Sequence, residues 1–447
     1  MASAAEQLAS SISLGSFSKA TELKARIWFT LGALLVYRVG TYIPVPGVDA
    51  SVMGEMMAQH STGILGMFDM FSGGALGRMT VFALNIMPYI SASIIVQLMA
   101  GAVPSLEALK KEGESGRKKL NQYTRYLTVL IALIQSYGIA VGLEGMRGNF
   151  GAAVIDPGLF FRVSCVVTLV GGTMFLMWIG EQITARGVGN GTSLIIFAGI
   201  VANLPSALVN LLELGRTGAL SPLFILLFIA IAVAVVAFVV FMERAQRRVT
   251  VQYPKRQVGQ RMFGGDSTHM PLKVNTAGVI PPIFASSILL IPATVAGFAQ
   301  NSPDSWLAWF AQKFAHGEPL YMISYAGMIL FFSYFYTAIV FNTEETADNL
   351  KKYGGFIPGV RPGSNTALYF DAILTRLTTV GAVYLAIVCL LPEILIAKYG
   401  VPFYFGGTSL MIIVSVTMDT VTQIQSHLLA HQYEGLIRKG RVKGRQR

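Results

Sequence analysis

The sequence is short of charge. Only 13% of its 447 residues are Asp, Glu, Lys or Arg, against roughly 25% in ordinary soluble domains. A soluble chain of this length folds as two or three domains with polar surfaces, and this composition has too little charge to cover them. The same scarcity, beside 53% hydrophobic residues, excludes a disordered chain, which is poor in apolar residues and rich in charge. Cysteine is scarcer still. Cys165 and Cys389 each lie inside an apolar run, which excludes a disulfide scaffold and reads as two small buried hydrophobes. The histidines (His60, His269, His316, His427, His431) have no ligand-like spacing, and none falls in the middle of an apolar run. RGVGNGTS at 186–193 is Gly-rich but lacks the GK[ST] of a phosphate loop. No metal, no other cofactor and no enzyme activity are expected.

What is abundant is apolar sequence in long runs. A spanning helix needs about 20 mostly apolar residues, and ten candidates follow one another at 27–43, 82–102, 126–142, 160–180, 192–212, 222–242, 276–298, 320–341, 370–391 and 404–425. The first is interrupted by Arg38, and it leads into PVPG rather than a small-residue cleavage site, so it is not read as a signal peptide. Assigning the loops alternately to two sides places all but seven of the 34 basic residues on one side. The seven are Arg38, Arg78, Arg147, Arg162, Arg216, Lys313 and Lys398. Retention of Lys and Arg in cytoplasmic loops puts both termini in the cytoplasm. It also places Asn190-Gly-Thr192, a glycosylation sequon by pattern, at the cytoplasmic end of a span, where it reads as chance. Five spans on each side of 213–221 imply a second half inverted relative to the first, as in many transporters.

Three features depart from plain spans. Residues 62–79, TGILGMFDMFSGGALGRM, are apolar but too short to cross, broken by glycines, and carry Asp69. They read either as an interfacial segment or as a re-entrant piece, since irregular backbone at membrane depth must be buried in protein or line a cavity. Next come two long basic loops on the cytoplasmic side, 243–273 and 347–366. They suit an acidic partner such as RNA phosphate, an acidic protein face or anionic lipid, or they are solvated loops that only set topology. Within the first, RVTVQY reads as a hairpin strand with Gly264-Gly265 as its turn. Third, Ile86 and Ile90 share a helix face in the second span, with Pro88 between them as an expected kink. Ile196, Ile283 and Ile412 sit near mid-depth in other spans. A ring of such residues is a hydrophobic constriction that excludes water.

Seven ordered motifs carry a resemblance: MFSGGAL, IMPYISASII, KKEGESGRKK, GTMFLMWIGEQIT, GNGTSLIIFAGIVA, FNTEETADNLKKYGGFIPGVRPG and PFYFGGTSL. From about residue 20 to 440 the chain resembles the SecY family of bacterial protein-conducting channels. That resemblance implies an all-α polytopic membrane protein. Its ten transmembrane helices form two pseudosymmetric inverted five-helix halves, a SecY-like clamshell with a re-entrant plug. The implied parts are a cytoplasmic segment 1–26, an N-terminal half 27–212, a hinge loop 213–221, a C-terminal half 222–425 with docking loops 243–275 and 342–369, and a basic tail 426–447.

By the same resemblance, Phe68, Phe71, Ser72, Gly73 and Gly74 belong to the plug. Ile86, Ile90, Thr192, Ile196, Ile283 and Ile412 fall at the pore ring, Thr192 where an aliphatic residue is usual. Lys255, Arg256, Arg261 and Arg361 match contact positions for the SecA ATPase and the translating ribosome, while Gln260 stands where a basic residue is expected. Pro282, beside Pro281, is expected to alter the kink of the seventh span. A lateral gate is implied between the second and third spans on one side and the seventh and eighth on the other. Implied partners are SecE and SecG in a heterotrimer, SecA, the ribosome, signal sequences and nascent polypeptides, and anionic membrane lipid. The location is the bacterial inner membrane. The competing reading is an ion-coupled secondary transporter with inverted repeats, disfavoured because intramembrane acids are scarce, Asp419 being the main one.

Overall fold

The computed structural model describes residues 21–59, 69, 72–145, 147–148, 151–217, 221–253, 256–258, 261–263, 267–298, 318–399 and 407–444. Its helices are α1 (Thr21–Gly40), α2 (Ala50–Gln59), α3 (Met87–Ala102), α4 (Pro104–Lys111), α5 (Glu114–Gly145), α6 (Leu159–Arg186), α7 (Gly191–Arg216), α8 (Pro222–Arg244), α9 (Ile280–Phe298), α10 (Pro319–Val340), α11 (Thr343–Lys352), α12 (Ser364–Tyr399) and α13 (Gly407–Gly444). Each expected span overlaps one of them. Among the described residues, α5, α6, α7, α8, α12 and the stretch that begins with α10 are long and apolar enough to cross a membrane. The pair α3–α4, bent by 102°, makes a seventh if it is counted as one span.

The helices form because a backbone leaving water must satisfy its own amides, and apolar side chains can then cover them. In α8 the 18-residue window reaches a mean hydropathy of 3.3 with only 6% of it buried. An apolar helix left bare on the outside of the molecule is stable in lipid and not in water. Hydroxyls inside the helices return to their own backbone: Thr128 to the Thr124 carbonyl, Thr173 to Leu169, Ser333 to Ile329 and Thr337 to Ser333, at 2.7–3.0 Å. They therefore enter the core without orphaned donors.

Packing follows the chain. Helix α5 lies on α3 and α6, and α7 on α6, while α1 touches α6 and α7. Helix α10 lies between α9 and α12, and α13 packs on α12 and α8. Across the two sets, α9 meets α3 and α5, and α13 meets α7 and α1. One apolar core runs through both, from Tyr37, Ile86, Leu176 and Ile195 to Val239, Phe284, Ile329, Leu385 and Met411. The α5–α6 pair is pinned at both ends. Arg125 donates to both carboxylate oxygens of Glu181 at 3.0 and 2.6 Å. At the other end, Arg162 donates twice to Glu144 Oε2, whose Oε1 accepts from the Gly158 amide at 3.1 Å.

Two local expectations are corrected. Pro88 does not kink the second span: α3 begins at Met87 with Pro88 in its first turn, where a missing amide hydrogen costs nothing. The Pro281–Pro282 pair likewise falls in the first turn of α9. The basic hairpin also differs from its expected form. Strand β1 (Gln246–Gln252) pairs antiparallel with β4 (Ser267–Lys273), and between them β2 (Arg256–Val258) pairs with β3 (Arg261–Phe263). Val258 is opposite Arg261 in this inner pair, and Gly264-Gly265, expected to turn the hairpin, lies outside the described residues.

The two basic loops are one structural unit. Gln252 and Phe356 exchange both backbone hydrogen bonds at 2.9 Å, which adds the 354–360 segment to β1. Behind the bridge, Val249, Leu272, Ile357, Phe370 and Ile373 form a small apolar core on the first turns of α12. Gly355 is buried there, and a Cβ on it would lie 3.1–3.3 Å from Tyr253, Val251 and Leu350. Replacing Gly355 with Leu is expected to separate the two loops. Limited proteolysis within 243–275 should accelerate several-fold while far-ultraviolet circular dichroism stays helical; unchanged cleavage would mean the loops are held together elsewhere.

Candidate functional site

The aliphatic residues singled out in the sequence belong to, or pack against, the large apolar core that runs through the helices. Ile86, Ile90, Ile196 and Ile412 are buried in the same core, and Ile283 packs against it from α9. Ile86 caps α3, and the Ile90 amide donates to its carbonyl at 3.1 Å, so both project from the start of that helix. Thr192 is half-buried in the first turn of α7, where Asn190 caps the helix by accepting from the Thr192 and Ser193 amides. Asn190 is thus a cap. A Cβ placed on Gly180 would lie 3.6 Å from Ile86 Cδ1, from Ile195 Cδ1 and from the Thr192 amide nitrogen. That shared distance puts α6, α7 and the start of α3 at one point. Aliphatic groups gathered this way offer an ion no replacement for its hydration shell.

Of the residues expected in a plug, Phe68 and Phe71 lie outside the described residues, and Ser72, Gly73 and Gly74 are within them. Ser72 is buried. Its hydroxyl donates to the Asp69 carbonyl at 3.0 Å and accepts from the Leu76 amide at 3.2 Å, and its carbonyl accepts from the Tyr37 hydroxyl at 3.1 Å. The Asp69 carboxylate accepts from the Gly77 amide at 2.5 Å. Burial pushes this carboxyl above its ordinary range, opposed by the Gly77 amide and the Arg78 charge. Gly73 rests on α7: a Cβ there would stand 3.1 Å from Gly199 Cα. The turn thus lies against the helix that carries Ile196.

From residue 75 to the start of α3 the chain runs in turns, with Met79 (φ 45°) and Asn85 (φ 50°) in the left-handed region. Each such residue costs about 1–3 kcal/mol unless its surroundings dictate it. Both are buried. Sequence reasoning placed a continuous helix over 82–102 because left-handed Met and Asn carry no composition signal.

Of the basic positions, Lys255 and Gln260 lie outside the described residues, Arg256 and Arg261 are on the paired strands β2 and β3, and Arg361 is exposed just before α12. Around Arg361 on the joined unit, Arg247, Arg248, Lys273, Lys351 and Lys352 are exposed as well. The joined unit thus carries several exposed cations outside the helical core.

Further residues hold the site together. The Val188 amide donates to Thr30 Oγ1 at 3.0 Å, the Gly189 amide to Gln423 Oε1 at 2.8 Å, and the Gly191 amide to Thr184 Oγ1 at 2.9 Å. The loop 187–191 therefore ties α1, α6 and α13 to the start of α7. Its Gly-rich sequence, set aside for lacking a phosphate-loop pattern, was the available signal of close backbone approach.

The SecY family profile matches residues 80–421. Protein translocase subunit SecY of Rickettsia conorii is 56% identical over 429 residues, covering 96% of this chain and 99% of that protein. Its namesake in Escherichia coli K12 is 55% identical over 424 residues, covering 95% and 96%. Among solved structures, one described as a protein conducting channel superposes with a TM-score of 0.66 at 16% identity, over 91% of this chain and 92% of that one. Sec61 in the canine ribosome–channel complex superposes with 0.62, also at 16% identity, over 91% and 92%.

The close approach of α6 and α7 supplies a direct check. A Cβ on Gly191 would collide with the Gly180 carbonyl, whereas one on Gly327 meets nothing within 4 Å. Gly191→Ala is expected to destabilise the detergent-purified protein by about 1–3 kcal/mol, the usual cost of overpacking, and Gly327→Ala to leave its thermal midpoint unmoved.

Proposed function

The chain belongs to the SecY family, and from that membership and the site just described we propose that it is the channel subunit of a protein translocase. In this reading it conducts unfolded secretory polypeptides across the cytoplasmic membrane and releases apolar segments sideways into lipid. It is a channel component and not an enzyme. The observation that carries the reading is that Ile86, Ile90, Ile196 and Ile412 are buried in, and Ile283 packs against, one apolar core shared by helices from both ends of the chain.

The proposed parts are those the sequence implied. Ten spans divide into halves at 27–212 and 222–425 about the 213–221 loop, with segments 1–26 and 426–447 and both termini in the cytoplasm. The five isoleucines with Thr192 form the pore ring. Residues 62–79, with Phe68, Phe71, Ser72, Gly73 and Gly74, form the plug. The lateral gate opens at the seam where α3 and α5 meet α9, which the contacts between these helices support. The joined unit of 243–275 and 342–369 receives SecA or the ribosome through Lys255, Arg256, Arg261 and Arg361. Its exposed cations support an acidic partner, such as RNA phosphate. SecE and SecG complete the heterotrimer, and anionic lipid surrounds it.

The physical logic is selective indifference. A moving polypeptide is chemically varied, so the constriction must close on any side chain without binding one tightly. Aliphatic groups do this because their attraction is non-directional. Sorting follows from partition: about 20 apolar residues prefer lipid, while polar segments pass on. No nucleotide-binding motif appears in the sequence, so the drive comes from a partner or from the membrane potential.

The reading is tested with a photocrosslinker at Ile90 and, as a control, at Val233, which is 63% exposed on α8. An arrested secretory chain with a working signal sequence should crosslink at Ile90 alone, and one with a defective signal at neither. Silence at Ile90 with the ribosome still docked would remove the ring assignment and reopen the transporter reading.

A further inference from the structure

We infer that Arg38, Tyr42 and Arg78 form a clamp that holds the Gly73–Gly74 turn of the plug in its closed seat, an inference that rests on the plug reading above. The geometry is specific. Arg38 Nη1 donates to the Gly73 carbonyl at 2.8 Å, and Arg78 Nη2 donates to the same oxygen at 3.1 Å. Arg78 Nε also donates to the Gly74 carbonyl at 3.0 Å. Both guanidinium groups lie against one aromatic ring, their central carbons 4.9 and 4.2 Å from the Tyr42 centroid. The Tyr42 hydroxyl accepts from Arg38 Nη2 at 2.9 Å.

The charges explain why a ring is there. Two cations that share one carbonyl repel each other, and among the described residues neither forms an ion pair with a carboxylate. The negative face of an aromatic ring attracts a guanidinium, so Tyr42 holds both in place while their N–H groups reach the turn. Arg38 belongs to α1, whose end is anchored in the core by the buried Tyr37. Arg78 belongs to the plug segment itself. The ring therefore couples a fixed helix to a segment proposed to move.

The backbone identifies what moves. Residues 43–45 and 79–81 are laced together, Val45 donating to Met79 at 2.9 Å and Val81 to Ile43 at 3.0 Å. That lacing fixes the base of the plug. The turn above it consists of two consecutive glycines at φ +69° and +83°, a conformation that side chains disfavour and glycine leaves readily. Unseating the segment breaks the Arg38–Gly73 bond and draws the Arg78 guanidinium off the Tyr42 ring, while the two Arg78–carbonyl bonds stay within the segment. Water can take the place of the lost contacts, because Tyr42 is 55% exposed. The clamp thus resists opening without making it irreversible.

The test uses the assembled channel complex reconstituted in vesicles, with basal ion leak as the readout. Tyr42→Leu, which removes the ring, is expected to raise the leak several-fold. Arg38→Gln should do the same and serves as the second variant should the first fail to assemble. Tyr42→Phe, which keeps the ring, should stay close to the unaltered complex. A variant lacking residues 62–72 separates the two levels of inference. If that deletion leaks while Tyr42→Leu and Arg38→Gln remain tight, the clamp is overturned and the plug stands. If the deletion itself remains tight, the plug reading falls and the clamp with it. A Tyr42→Phe complex as leaky as Tyr42→Leu would also overturn the clamp, because the ring face would not be what holds it.

Discussion

Every amide that leaves water in this molecule has to find its partner within the chain, and the remaining architecture follows from that constraint. Helices meet it span by span. The revealing region is where no helix does. Between residues 74 and 85 the chain closes its hydrogen bonds through successive tight turns: Gly74 to Asp69, Thr80 to Ala75, Met79 to Leu76, Ala83 to Thr80 and Asn85 to Phe82. Such backbone survives at membrane depth only inside protein, so it must lie on the helices that surround it. That is why the Gly73–Gly74 turn rests on Gly199, and the stretch of turns leads directly into Ile86.

The same constraint governs where charge is placed. Ionised groups are costly within the membrane, so the Arg–Glu pairs appear at the ends of α5 and α6 and the lysines and arginines gather on loops. What remains for the interior is mostly aliphatic, aromatic or a hydroxyl turned back on its own helix, with a few buried amides such as Asn85 and Asn275. A constriction assembled from such material is necessarily non-specific.

Much of this was legible in the sequence. The apolar runs announced their helices because twenty uncharged residues in succession have few other uses, and the SPLFILLFIAIAVAVVAFVVF run is the plainest. The isoleucines were nameable through resemblance, though nothing in their spacing assigned them to one core. Local backbone was harder to read. Pro88 looked like a kink because a proline inside an apolar run usually is one, yet the helix begins beside it. The RVTVQY strand was legible, but the inner β2–β3 pair within the same loop was not. The union of the two basic loops depends on Gln252 and Phe356, far apart in the chain and unmarked by composition. Tertiary pairings of that kind have no local signature.

A channel that must open and reseal also limits which interactions can join its moving parts. An ion pair or a hydrogen bond is lost outright when its partners are separated, whereas an apolar contact can be replaced by another apolar contact. The Arg125–Glu181 and Arg162–Glu144 pairs both join α5 to α6. The Tyr334–Thr379 hydrogen bond joins α10 to α12. Between the halves, α9 meets α3 and α5 largely through apolar packing, and Gly189 meets Gln423 through a single hydrogen bond. Directional bonds thus reinforce each half, while non-directional contacts hold the halves to each other. Apolar surfaces parted at the α3–α9 seam would face either lipid or an entering apolar segment, and both are close substitutes for what they had lost.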